Sequence, residues 1–184
     1  RAQCIISDDL ATMMARERGV PLQMVAATFQ HDPVVLIAHD NIEQIQDLGN
    51  STILISSAAN SSWWPWAKTH LGLRDEHVRP YTFNIQPFMA DRNVAQQGYL
   101  TSEPFSLEQA GANFKVFALS DAGYPPYGNS IACDSAWMAE HPEQVSAFLN
   151  ASMQGMKHYL ANPSAGNALI REANPQMSEA QLDY

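Results

Sequence analysis

Cysteine is nearly absent from this 184-residue sequence: Cys4 and Cys133 are the two it has. That excludes a disulfide-dense scaffold and any multi-cysteine zinc or iron–sulfur site. Both sit among apolar neighbours, where a reduced, buried and unreactive thiol is the expected state, with a disulfide between them left open. Basic residues are also scarce, ten against nineteen acidic ones, for a net charge of −9. A phosphate-backbone binder needs the opposite sign, so nucleic acid is excluded as a partner. Charged residues as a whole are only 16% while apolar ones reach 46%, a balance that excludes disorder. The longest apolar run, Val34 to Ala38, is far short of the roughly 20 residues that span a bilayer, and no stretch reads as a secretory signal.

Signature loops are missing too. No Gly-rich phosphate loop follows any strand, so nucleotide binding is not expected. No serine lies in a nucleophile elbow and neither cysteine in a polar loop, so no catalytic triad can be assembled and an enzyme is not expected. No cofactor is implied.

What is present is an alternation of short strands and helices. Strands are expected at Cys4–Ile6, Leu22–Phe29, Val34–Ala38, Thr52–Ile55, Val78–Phe83, around Tyr99-Leu100, at Lys115–Leu119 and from 129 to 133. Helices are expected from Leu10 to Gly19, Trp63 to His70, Pro87 to Arg92 and Glu103 to Ala110. A long helix from Pro142 carries one stripe of Val145, Phe148, Leu149, Met156 and Leu160, and shorter helices start at Ser164 and Ser178. This pattern predicts an α/β fold with a largely parallel sheet. The first residues read as a strand already under way and the last as a helix that stops mid-turn, so the chain is expected to be part of a longer one.

Ligands of such folds sit beyond the carboxyl ends of the strands. That rule selects the loops at Ser7-Asp8-Asp9, Gln30-His31-Asp32, Ser56 to Ser62, Thr101 to Glu103 and Asp121 to Asn129. Asp8 and Asp9 either cap the following helix or accept a hydrogen bond from a ligand. His31-Asp32 and His39-Asp40 match no zinc signature, and Gln30 or His31 serves better as a polar ligand contact. Trp63, Trp64 and Trp66 are either core packing or an aromatic wall. Ser57, Asn60, Ser61 and Ser62 either cap a turn or donate to an anionic group. Tyr99, Glu103, Tyr124 and Tyr127 combine aromatic faces with one carboxylate, which suits a flat nitrogen-bearing or cationic molecule.

The run Gly98-Tyr-Leu-Thr-Ser-Glu-Pro-Phe105, followed by Lys115-Val-Phe-Ala-Leu-Ser-Asp-Ala-Gly-Tyr-Pro-Pro-Tyr127, resembles the ABC-transporter substrate-binding proteins of the nitrate/sulfonate/taurine and thiamine-pyrimidine-precursor type. Gly19-Val-Pro21 leading into Val25 to Pro33, Asp47-Leu-Gly49, and Glu140-His-Pro-Glu143 add to it. The resemblance implies a two-lobed periplasmic-binding-protein type II fold, incomplete at both ends. It puts residues 1–48 and 122–184 in one lobe and 49–121 in the other. It further implies capture of a small-molecule solute in the interlobe cleft, delivery to an inner-membrane ABC permease, and a periplasmic or lipid-anchored location. The implied contacts are Ser7 to Asp9, Ser57 with the tryptophan loop, and Glu103, which would pair with a ring nitrogen or amine. Two alternatives share the fold: a pyrimidine-precursor synthase, whose cysteine-rich iron motif nothing here matches, and a sensor module.

Overall fold

The computed structural model describes residues 2–184, so Arg1, the start of the expected first strand, lies outside the described residues. The chain forms two compact units, Arg1–Cys133 and Asp134–Tyr184.

The first unit holds two sheets. Strands β3 (Val34–His39), β4 (Thr52–Ile55), β5 (Val78–Pro80), β6 (Val94–Tyr99) and β7 (Phe114–Ala118) form one, in the order β5-β4-β6-β3-β7. β4 runs parallel to β5 and β6, whereas β3 is antiparallel to both β6 and β7. The sheet is therefore mixed, which corrects the expectation of a largely parallel one. The crossover from β6 through helix α4 (Glu103–Gln109) to β7 straddles β3, which fills the gap in the opposite direction.

Continuous apolar composition is what β3 needs at that place, because every one of its six residues is buried. Alternate side chains go to opposite faces. Val34, Leu36 and Ala38 join Ile53, Ile55 and Ala95 beneath helix α2 (Trp64–Leu71), where Trp63, Trp64, Ala67 and Leu71 meet them. Val35 and Ile37 join Leu54 and Val94 on the other face, against Phe88 of helix α3 (Gln86–Ala90) and Leu107 of α4. Burying a side chain such as Leu36 contributes roughly 1.5–3 kcal/mol.

Two strand expectations need correction. The strand expected over Val78–Phe83 stops at Pro80; Phe83 has a positive φ of 57° and its ring is exposed. The strand expected around Tyr99-Leu100 runs instead from Val94 to Tyr99, through the buried Gln96 and Gln97. The carbonyl side of Gln97 accepts a hydrogen bond from the Ser56 amide at 2.6 Å, which explains how a polar residue sits in a central strand.

The second sheet has the order β1-β8-β2, from β1 (Cys4–Ser7), β8 (Gly128–Asp134) and β2 (Leu22–Phe29). β1 and β8 are antiparallel, with Cys4 opposite Cys133 and Ser7 opposite Ser130. The facing cysteines form a disulfide across 129 positions. This corrects the expectation of reduced thiols: strand register, which sequence neighbours do not reveal, brings the two together.

The second unit is helical: α5 (Ser135–Glu140), α6 (Pro142–Ala161), α7 (Ser164–Ala173) and α8 (Glu179–Asp183). Asp134 caps α5, Ser178 caps α8, and the Tyr159 hydroxyl donates to Asn167 at 2.7 Å to tie α6 to α7. Of the stripe expected on α6, Val145 is buried, while Phe148, Met156 and Leu160 are exposed.

Candidate functional site

Antiparallel pairing decides which chain ends share an edge. Val34 opposes Tyr99, so the start of β3 and the end of β6 lie together, and the loop after β4 leaves from the same edge as the end of β6. Ser7 opposes Ser130, so the end of β1 lies beside the start of β8. Between these ends is a cleft of about 230 Å³, lined by Asp8, Ala11, Asp32, Pro33, Ala58, Ser61, Ser62, Tyr99, Gly128 and Asn129. Five separate chain segments thus meet at one hollow, three of them at the carboxyl ends of β1, β4 and β6.

Each segment is fixed locally. Asp8 is the N-cap of helix α1 (Asp9–Glu17), its Oδ1 accepting from the Leu10 and Ala11 amides at 2.9 and 3.2 Å. Asp32 holds the entry to β3, its Oδ1 accepting from the Val34 amide at 2.9 Å. Gly128 is required where it stands, because a Cβ there would meet Pro33 Cδ at 2.5 Å and the Asp32 backbone at 3.2 Å. Ser61 and Ser62 each donate a hydroxyl to the Ala58 carbonyl at 3.1 Å, which leaves their oxygens as acceptors.

Electrostatics sets this cleft apart. Burial, reinforced by the Asp8 and Asp9 charges, lifts the Asp32 carboxyl to about 6 against the opposing bond from Val34. Burial lifts Asp8 in the same direction, with Asp9 adding to it. Tyr124 and Tyr99 are both pushed upward by burial and then by the charges of Asp8 and Asp32. Tyr124 is only 3% exposed, and its hydroxyl is buried with no hydrogen-bond partner.

Among the sequence-predicted residues, Asp8, Ser61, Ser62 and Tyr99 line the cleft, and Tyr124 lies in the field of its carboxylates. The others are placed elsewhere. Ser7 is half-buried and donates to the Asp8 carbonyl. Asp9 is buried as a brace between segments, accepting from the Tyr127 amide at 2.8 Å and from the Ser130 hydroxyl. Trp63 and Trp64 are core residues at 3% and 1% exposure, and the Trp64 indole donates to Asp75 at 2.7 Å. Glu103 is buried, accepting from the Tyr81 hydroxyl at 3.0 Å and the Tyr99 amide at 2.8 Å, so it anchors the end of β6. Gln30, His31, Ser57 and Tyr127 are exposed and outside the lining. His39 stacks on Phe88 with ring centres 4.0 Å apart and bonds its carbonyl, while Asp40 pairs with Arg92.

Of the other lining residues, Asn129 was selected by the sequence reading only as a member of a loop, and Asp32 was weighed only beside His31. Asp32 carried a signal: an Asp before a Pro at the start of an apolar strand closes a turn on the amide two residues on. Among the described residues, no group of His, Cys, Asp and Glu is arranged to hold a metal ion.

The NMT1/THI5-like family profile matches residues 2–166 of the chain. The chain belongs to that family. It is 29% identical over 179 residues to the riboflavin-binding protein RibY of Chloroflexus aurantiacus, a match covering 94% of this chain and 50% of RibY. Its fold is shared with the periplasmic aliphatic sulphonate-binding protein SsuA of Escherichia coli, at a TM-score of 0.72 and 14% identity, over 99% of this chain and 61% of SsuA. A sulfonate-binding SsuA structure from Methylobacillus flagellatus KT gives a TM-score of 0.62 at 18% identity, over 98% of this chain and 57% of that one. The chain therefore spans about half of RibY and about three fifths of the sulfonate-binding structures. The fold expected from the sequence, that of the periplasmic binding proteins, is the fold these neighbours have.

Proposed function

We propose that this protein is the solute-binding component of an ABC importer, which captures a small molecule at the Asp8–Asp32–Tyr99 cleft and passes it unaltered to an inner-membrane permease. The observation that carries the reading is the convergence of five strand-end segments on one hollow. The family and the RibY likeness support it. The two sheets of the first unit are proposed as parts of two lobes, which would place the crossings near Pro33 and between Ala118 and Gly128 rather than at 48/49 and 121/122. Solute contacts made only when the lobes approach would shift the open–closed population and mark the loaded form. A periplasmic or surface-anchored location is proposed from the family and from the Cys4–Cys133 bond, since disulfides persist in oxidising compartments.

The test is a thermal-shift screen against pyrimidines, polyamines, alkylsulfonates, nitrate and flavins. A bound solute raises the melting temperature by mass action. No shift with any class, together with turnover of one of them, would replace the transport reading with an enzymatic one.

A further inference from the structure

Resting on the solute-binding reading, we propose that the cleft selects solutes that turn N–H or O–H donors, or a positive charge, toward Asp8 and Asp32, and that it rejects anions such as sulfonates. In both carboxylates Oδ1 is engaged by backbone amides, and among the described residues neither Oδ2 has a hydrogen bond. Nor does any Lys or Arg among the described residues pair with either group. The lining holds two acidic residues and no basic one.

An anion fits this lining poorly. Half-buried like charges repel strongly because little water screens them, and the Ser61 and Ser62 hydroxyls that would otherwise donate to an anion are spent on the Ala58 carbonyl.

This separates the protein from what its structural neighbours' names say they bind. Their likeness, at 14–18% identity, concerns the fold.

The experiment is isothermal titration of the intact protein at pH 7.5 with two sets of probes. Riboflavin, 4-amino-5-hydroxymethyl-2-methylpyrimidine and spermidine bear donors or positive charge; ethanesulfonate and nitrate are the anions. The variants are Asp8→Asn and Asp32→Asn, whose amide oxygens keep the bonds to Leu10, Ala11 and Val34, with Glu17→Gln as an exposed control and circular dichroism as the check on folding. At least one donor probe is expected to bind, and one or both cleft variants to weaken it tenfold or more while Glu17→Gln leaves it unchanged. Donor binding within twofold of wild type in both cleft variants would overturn the inference. So would an anion binding as tightly as any donor probe, which leaves the solute-binding reading standing. Silence from every probe counts against both.

Discussion

The two sheets of the first unit solve the same problem by different means. In the five-stranded sheet, helices cover both faces, and β3 lies at 0–6% exposure along its whole length. In the three-stranded sheet, Ile5, Ile6, Met24 and Phe29 stand exposed. Its β1–β8 pair is pinned at one end by the disulfide and at the other by Asp9, which accepts from Ser130 and from the Tyr127 amide. Apolar burial holds the first sheet; covalent and polar ties hold the second. The cleft lies at ends of both, and it is polar where the ties are.

The sharpest way to break this contrast is to remove the disulfide. A cross-link over so long a span limits the unfolded chain by up to about 5 kcal/mol in the loop-entropy picture. A Cys4→Ser/Cys133→Ser variant should lose amide protection in β1, β2 and β8 while β3 and β6 keep theirs, as read by hydrogen exchange. Uniform loss across both sheets would show that the first unit has no such division. Next is Leu36→Ala in the fully buried strand, expected to cost about 2–5 kcal/mol in denaturant unfolding. A cost below about 1 kcal/mol would mean that the five-stranded core is loosely packed.

A smaller effect concerns the cleft. Asp32 faces Asp8 and Asp9, with Tyr99 and Tyr124 in the same field, and its carboxyl is held near 6 against an ordinary 3.8. The folded state therefore keeps a proton that the unfolded chain releases earlier, so this group's contribution falls as pH climbs from about 4 to about 6. Asp32→Asn should melt higher than wild type at pH 7 and converge with it near pH 3.5 in thermal scans. A lower melting temperature at pH 7 would contradict the burial argument. The smallest expected effect is Ile6→Thr on the exposed face of β1, within about 0.5 kcal/mol of wild type; a larger loss would reveal a cover over that face.

Much of this was legible because composition and burial coincide. The run Val34 to Ala38 announces a strand, and the whole of it is buried. The course of β6 was hidden, because Gln96 and Gln97 read as surface residues until Ser56 is known to bond one of them. The cysteine pairing was hidden for a related reason: it is a consequence of register between strands far apart in sequence. At the cleft, the loops were found but some chosen side chains serve other ends. Trp63, Trp64 and Glu103 have the chemistry of a ligand pocket, yet in this fold they supply the core and the anchor of Tyr99. Asp32 was overshadowed by His31, although the turn it closes on Val34 points it to the hollow.

The pairing of Cys4 with Cys133 also orders events at the ribosome. β1 leaves the exit tunnel well before its neighbour β8, which is completed about 125 residues later, at a translation rate of roughly 5–20 residues per second. For those many seconds the nascent strand has no edge to join, so the three-stranded sheet is the last part of its unit to assemble. The bond between the two sulfurs is therefore the late closure of the unit, coming after the five-stranded sheet has its final strand at Ala118.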